Sequence, residues 1–175
     1  MRLKRFSIDG TLLQSFEFQE KTGYSGKHRR VGVKASLVVD ATGLPVSAVI
    51  ASGNAHDLSL AEESVSRLRG YDYFRASLLA DKGYDSKQFR RFAFNQGIKP
   101  NIPKRTYTKE REHPYKFHLY RYDTEEGKHR FIVERTNAWF KSFRRLRNRF
   151  DYQIASFEAF LYLAIIILCV RRLVL

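Results

Sequence analysis

A single cysteine, Cys169, stands in the 175 residues of this chain. That excludes an internal disulfide and a cysteine-rich zinc site, and within an apolar stretch it reads as a small core residue. Acids are scarce as well: 18 Asp and Glu face 32 Lys and Arg, a formal charge of +14. Long apolar runs are missing. The longest charge-free run near the C-terminus, Ala159 to Val170, has 12 residues, short of the roughly 18–20 that span a bilayer. It reads as a buried amphipathic helix, and no membrane partner is expected. No apolar run follows the basic opening Met1–Arg5, so no signal peptide is read.

What remains is a basic, folded chain. Its length suits one domain, residues 1–175, with a sizeable core. Aromatic content of 14% with repeated apolar periodicity rules out a basic tail. Such a cationic excess points to a polyanionic partner, most often nucleic acid.

Residues 4–9 alternate as a short strand ending at Asp9, and residues 10–30 are polar and turn-rich, closing in a basic loop. Val31 to Val39 is the clearest strand; Asp40–Gly43 is turn chemistry, and Leu44 to Ala51 completes a hairpin. Asp57 is placed to N-cap a helix running to about Arg69. Arg75 to Asp81 is an apolar run of strand length, again ending in an aspartate. Asp85 or Ser86 caps the next helix, Ile98 to Ile102 forms a short strand, and 104–128 reads as a loop or insertion. A last helix covers about 155–173.

The stretch around which the chain is organised is His129 to Phe150. As one helix it sets Ile132, Trp139, Phe143, Leu146 and Phe150 in an apolar stripe. Arg130, Asn137, Lys141, Arg144, Arg145 and Asn148 gather opposite, around Glu134, the only acid between Lys128 and Phe150 among eight Lys and Arg. The ordinary reading pairs Glu134 with Arg130 one turn back, an exposed pair giving about 0.3–0.5 kcal/mol. The sharper reading makes Glu134 the third of three acids. If the strands ending in Asp9 and Asp81 are parallel neighbours, their carboxylates emerge at one sheet edge, where open α/β folds place their sites. A helix crossing that edge delivers Glu134. Three hard oxygen ligands suit Mg2+ or Mn2+ over zinc, and two such ions would activate an attacking oxygen and stabilise a leaving one in phosphodiester transfer.

The runs Ser7-Ile8-Asp9-Gly10-Thr11, Gly53-Asn54-Ala55-His56-Asp57, Ala80-Asp81-Lys82-Gly83-Tyr84-Asp85 and Val133-Glu134-Arg135, with Lys141-Ser142-Phe143-Arg144-Arg145-Leu146, resemble the DDE transposases of bacterial insertion sequences. The similar branch is that of insertion sequence five within the broader group of insertion sequence four. The resemblance runs from about residue 7 to the C-terminus. It implies a ribonuclease-H-like three-layer α/β fold, with a mixed sheet and helices on both faces. It also implies cutting and joining of DNA at element ends and target, with Mg2+ or Mn2+, two ions, as cofactor. Asp9, Asp81 and Glu134 become the catalytic and metal-holding acids, and Arg130, Lys141, Arg144 and Arg145 the DNA-binding cations. Arg130, Glu134 and Lys141 fit the group's Tyr-x2-Arg-x3-Glu-x6-Lys spacing; its Tyr position is Gly127 here, with Tyr122 nearby. The group usually carries an N-terminal helical DNA-binding region; this sequence begins eight residues before Asp9, and the region is expected to be encoded elsewhere or lost. A separate N-terminal chain or frame, a homo-oligomer on DNA and a bacterial cytoplasmic, nucleoid-associated setting are the further expectations. The alternatives are an inactive DNA-binding remnant and a nuclease of the same fold that does not join.

Overall fold

The structure, a computed structural model, describes residues 3–68, 70–105 and 121–174. Apolar alternation builds its centre. In β3 (Arg30–Asp40), Val33, Ala35 and Leu37 face one side of the sheet and Val38 the other, all buried. β3 pairs antiparallel with β1 (Arg5–Gln14) over nine residues, and with β4 (Pro45–Ser52) through the expected hairpin. Asp40 is the turn residue: its Oδ1 accepts the N–H groups of Thr42 and Leu44 and the Thr42 hydroxyl, at 2.7–2.9 Å. β2 (Gly23–Ser25) shares the outer edge of β3 with β4. On the other side of β1 lie β5 (Ser77–Leu79) and β6 (Lys99–Asn101), both parallel. The sheet is therefore mixed, and β1 is the strand at which its direction changes.

Helices cover both faces. α1 (Asp57–Ser66) and α2 (Lys87–Asn95) pack Ala61, Val65, Phe89 and Ala93 on Phe6, Ile8, Val38 and Leu78. After the one-turn helix α3 (Thr124–Gly127), α4 (Phe131–Ser142), the short α5 (Arg144–Arg147) and α6 (Ile154–Val174) cover the opposite face. There Phe140, Leu146, Phe157, Leu161 and Ala164 meet Leu13, Val33, Ala35 and Leu37. This is the three-layer α/β class expected, a mixed sheet with helices on both faces.

Several boundaries differ from expectation. The first strand does not stop at Asp9 but continues to Gln14, because Thr11 and Leu13 pair with Ala35 and Val33. α1 is capped by His56, whose Nδ1 accepts the Leu58 N–H at 3.2 Å, and not by Asp57. The long helix is broken: Phe143 is extended (φ −75°, ψ 115°), splitting α4 from α5. No helix breaker stands there; the bend turns Leu146 back into the core, which outweighs local propensity. The buried face of α4 is Ile132, Val133, Thr136, Asn137 and Phe140, while Phe150 is 55% exposed. α6 is long and apolar enough to cross a membrane by length and composition. Phe157, Leu161 and Ala164 tie one face of it to the core, but Tyr162, Leu163, Ile166 and Val170 are exposed, so it is buried on one side only. Most of the loop or insertion at 104–128 lies outside the described residues.

α4 is anchored to the β3–β4 turn: the buried Thr136 hydroxyl donates to the Gly43 carbonyl at 2.8 Å, and Arg135 Nη2 to that of Thr42 at 3.1 Å. Thr136→Val keeps the shape and removes the donor. Its stability in urea is expected to fall by about 1–2 kcal/mol, the cost of a buried carbonyl losing its partner. An unchanged midpoint would show that the turn does not hold α4.

Candidate active site

β1 and β5 run parallel with Ser7 opposite Leu79. Two residues further, that register sets Asp81 level with Asp9. Asp81 stands just past β5, where its Oδ1 accepts the Gly83 N–H at 2.7 Å and caps the 3-10 turn Lys82–Tyr84. Asp9 is mid-strand and faces α4. There Asn137 Nδ2 donates to its Oδ2 at 2.9 Å. Asn137 is buried, and its own Oδ1 has no hydrogen-bond partner among the described residues.

The Asp9 carboxyl is pushed from its ordinary 3.8 up to about 6. Burial is the main cause; the Arg130 charge opposes it, while the Asp81 and Asp57 charges reinforce it and the Gly10 N–H pulls it back. Asp57, at the start of α1, pairs with Lys34 at 3.0 Å. It also presses on β1: a Cβ at Gly10 would lie 2.0 Å from Asp57 Oδ1, so the strand needs glycine there. Tyr84, buried beneath these acids, has its hydroxyl pushed above its ordinary pKa by burial first, then by Asp57, Asp9 and Asp81.

Glu134 lies one turn before Asn137 on α4. Its side chain is half exposed and its carboxylate is held by Arg130 Nη2, the pairing of the ordinary reading. The structure therefore brings Asp9 and Asp81 to one place and sets Glu134 on the adjoining helix turn, engaged by Arg130. Among the described residues no three His, Cys, Asp or Glu are close enough together to hold a metal ion.

The expected cations divide. Lys141 lines a groove of about 520 Å³ with Leu12, Gln14, His28, Arg30, Arg147 and Asn148. Arg144 is exposed. Arg145 is engaged within the chain, paired with Asp151 at 2.9 Å and lying 3.8 Å over the Phe160 ring. At the missing tyrosine, a Cβ on Gly127 would fall 2.2 Å from the Tyr122 hydroxyl, so Tyr122 already fills the space a side chain there would take.

Asn137, Asp57, Lys34 and Tyr84 were not expected at the site. Asp57 and Tyr84 lie within the quoted runs, but their residue types fit capping and core roles equally well. Asn137 follows Glu134 by three positions, the spacing of helix neighbours, yet was placed on the solvent face.

A family model described as Transposase DDE domain matches residues 2–169. A putative transposase for insertion sequence element IS402 from Burkholderia cepacia is 36% identical over 157 residues, covering 85% of this chain and 68% of that protein. Among solved structures, the piggyBac transposase synaptic complex with hairpin DNA is similar at TM-score 0.45 and 18% identity, over 65% of this chain and 25% of that chain. The simian T-cell lymphotropic virus intasome, in complex with a PP2A regulatory subunit, is similar at TM-score 0.46 and 17% identity, over 79% and 38%. This chain spans well under half of either solved chain.

The raised Asp9 pKa has a consequence for stability. Well below pH 3.8 the group is protonated folded and unfolded alike and costs nothing; between about 3.8 and 6 the unfolded chain gives up the proton while the folded state keeps it, so stability falls, and above about 6 the loss is complete. Relative to Asp9→Asn, the metal-free protein is expected to lose about 2–3 kcal/mol between pH 4 and pH 7. Urea titrations of both proteins across that range measure it, and parallel curves would show Asp9 to be solvated.

Proposed function

The chain belongs to the family of transposase DDE domains, and from that premise we propose that it cuts DNA at element ends and transfers the freed strand to a target. Asp9 carries the reading: a carboxylate raised to about 6 by burial and by two neighbouring acids is what a divalent cation would relieve. Asp9 and Asp81 would hold Mg2+ or Mn2+, Glu134 would join them, and the all-oxygen donor set suits these ions. Bound there, such ions supply Lewis acidity to the phosphodiester and to the attacking and leaving oxygens.

The chain's own groups do the rest. Asn137 holds Asp9 through a hydrogen bond to its Oδ2. Glu134 becomes available once Arg130 releases it, and that exchange is cheap because an exposed pair holds by only about 0.2–1 kcal/mol. Arg130 then stands free beside the acids to meet a phosphate. Lys141, seven residues along from Glu134, holds the backbone of the strand in the groove. Water is the nucleophile of the first step; the 3′-OH it frees is the nucleophile of the second.

Glu134→Gln is expected to abolish Mn2+-dependent nicking of an element-end duplex while binding to that duplex is kept or strengthened. Nicking at the wild-type rate would remove Glu134 from the site. A pre-nicked end mixed with target DNA tests the second step, and free ends without joined product would leave a nuclease only. Lys141→Ala is expected to weaken duplex binding uniformly and to reduce the slope of log K against log salt by about 1. An unchanged slope would show that Lys141 does not reach a phosphate.

A further inference from the structure

Among the apolar side chains that the fold leaves outside, Phe16, Phe18 and Phe150 lie together. Phe16, Phe18, Phe150 and Tyr152 are 49%, 71%, 55% and 59% exposed. Phe16 and Phe18 stack with centroids 5.9 Å apart and planes within 10°, and Phe150 tilts against Phe16 at 6.1 Å. Exposed rings in one patch mark a surface that binds something.

The patch is held rigidly from below. Arg149 is fully buried and donates to three backbone carbonyls, those of Asp151, Glu20 and Tyr152. Gln19 Nε2 donates to the Arg149 carbonyl at 3.3 Å, and the Glu20 N–H to that of Tyr152 at 3.1 Å. The loop bearing Phe16 and Phe18 and the segment bearing Phe150 and Tyr152 are thus tied into one unit. Neither the core nor the acid cluster uses these rings.

The patch also continues the basic groove. Gln14 and Asn148 line that groove and bridge to one another, and Phe16 and Phe150 each follow two residues later. Among the described residues the groove presents His28, Arg30, Lys141 and Arg147 and no acid. Glu17, exposed between Phe16 and Phe18, disfavours phosphate on the patch itself and leaves the phosphates to the groove. A second copy of this chain, also at +14, would bring like charge to the same place. The faces of paired bases are hidden within a duplex stack, so flat aromatic rings beside a phosphate track fit unpaired bases.

We propose that Phe16, Phe18 and Phe150 form a stacking platform for unpaired nucleobases of a DNA strand whose phosphates lie in the adjoining groove. The proposal rests on the reading of this chain as a DNA-cutting enzyme, and it specifies the form of the substrate: a strand end that is single-stranded next to the groove.

The test uses the whole chain without metal and two DNAs of one sequence, a blunt duplex and one with a single-stranded overhang carrying 2-aminopurine. Wild-type protein is expected to quench the 2-aminopurine on binding. Phe18→Ala and Phe150→Ala are each expected to weaken overhang binding about tenfold and to lose the quenching, with blunt-duplex binding and melting temperature kept, because these rings are exposed. Equal losses on both DNAs, or no loss on either, would overturn the platform. So would an oligomer, seen by light scattering, that Phe18→Ala dissociates while quenching persists; the patch would then be a protein interface. Blunt-duplex binding that persists without any effect of the rings would sink the platform alone, whereas failure of wild-type protein to bind either DNA would sink it together with the enzyme reading.

Discussion

A carboxylate held away from water in the middle of a sheet is costly, and the arrangement of this fold follows from bearing that cost. Asp9 lies on a strand with an antiparallel neighbour on one side and a parallel neighbour on the other. The antiparallel pairing with β3 carries the strand rigidly through the Asp9 position, and the parallel pairing with β5 brings Asp81 alongside. Burial and the two neighbouring acids all push Asp9 towards its neutral form; Arg130 and the Gly10 N–H push back. The Asn137 amide adds a charge-assisted hydrogen bond from α4. Conflict of this kind, concentrated at one group, is typical of sites that work on an ion or a reacting charge.

α4 converts that local balance into geometry. Thr136 and Arg135 fix the helix to the β3–β4 turn, and Asn137 fixes it to β1, all within one turn of helix. Glu134 is carried by the same turn but faces outward, so its backbone is as firmly placed as that of Asn137 while its side chain stays free to change partners. The ion pair with Arg130 and a role beside Asp9 are therefore successive states of one residue under the proposed mechanism. A surface pair is weak enough to allow the exchange, whereas a buried one would resist it.

The sheet and both helical layers were legible in the sequence because they rest on strong periodic signals. Val33, Ala35 and Leu37 alternate whatever surrounds them, and Ser86 caps α2 by its own chemistry. The strand beyond Asp9 was not legible, since Gly10 and Thr11 look like turn residues until Asp57 is known to crowd Gly10 and β3 to pair with Thr11. The break at Phe143 was hidden for a related reason: no residue there opposes a helix, and only the core's demand for Leu146 bends it. Of the candidate site, the approach of Asp81 to Asp9 could be read from predicted strands that each end near an aspartate, whereas Glu134 stands on the next helix turn, held by Arg130. Asn137 was not legible, because an asparagine among arginines reads as solvent-facing until α4 is rotated onto β1.

Charge is distributed along β1 in a way that gives the site a direction. Acids gather around Asp9, with Asp81 and Asp57 beside it, and the cations of the groove begin about three residues on, at Leu12. A polyanion attracted by the cations alone would settle in the groove and stay clear of the acids, which repel it. Only a divalent cation, neutralising the cluster, would let a phosphate approach Asp9 while its neighbours on the same strand remain in the groove. At roughly 3.3 Å per residue, the path along β1 from Asp9 to Gln14 is about 17 Å, long enough for the two regions to engage different phosphates. Under the proposed function, affinity would then reside in the groove without metal, and reactivity at the acids only with it. Such a separation would let the chain bind DNA before it is able to cut it.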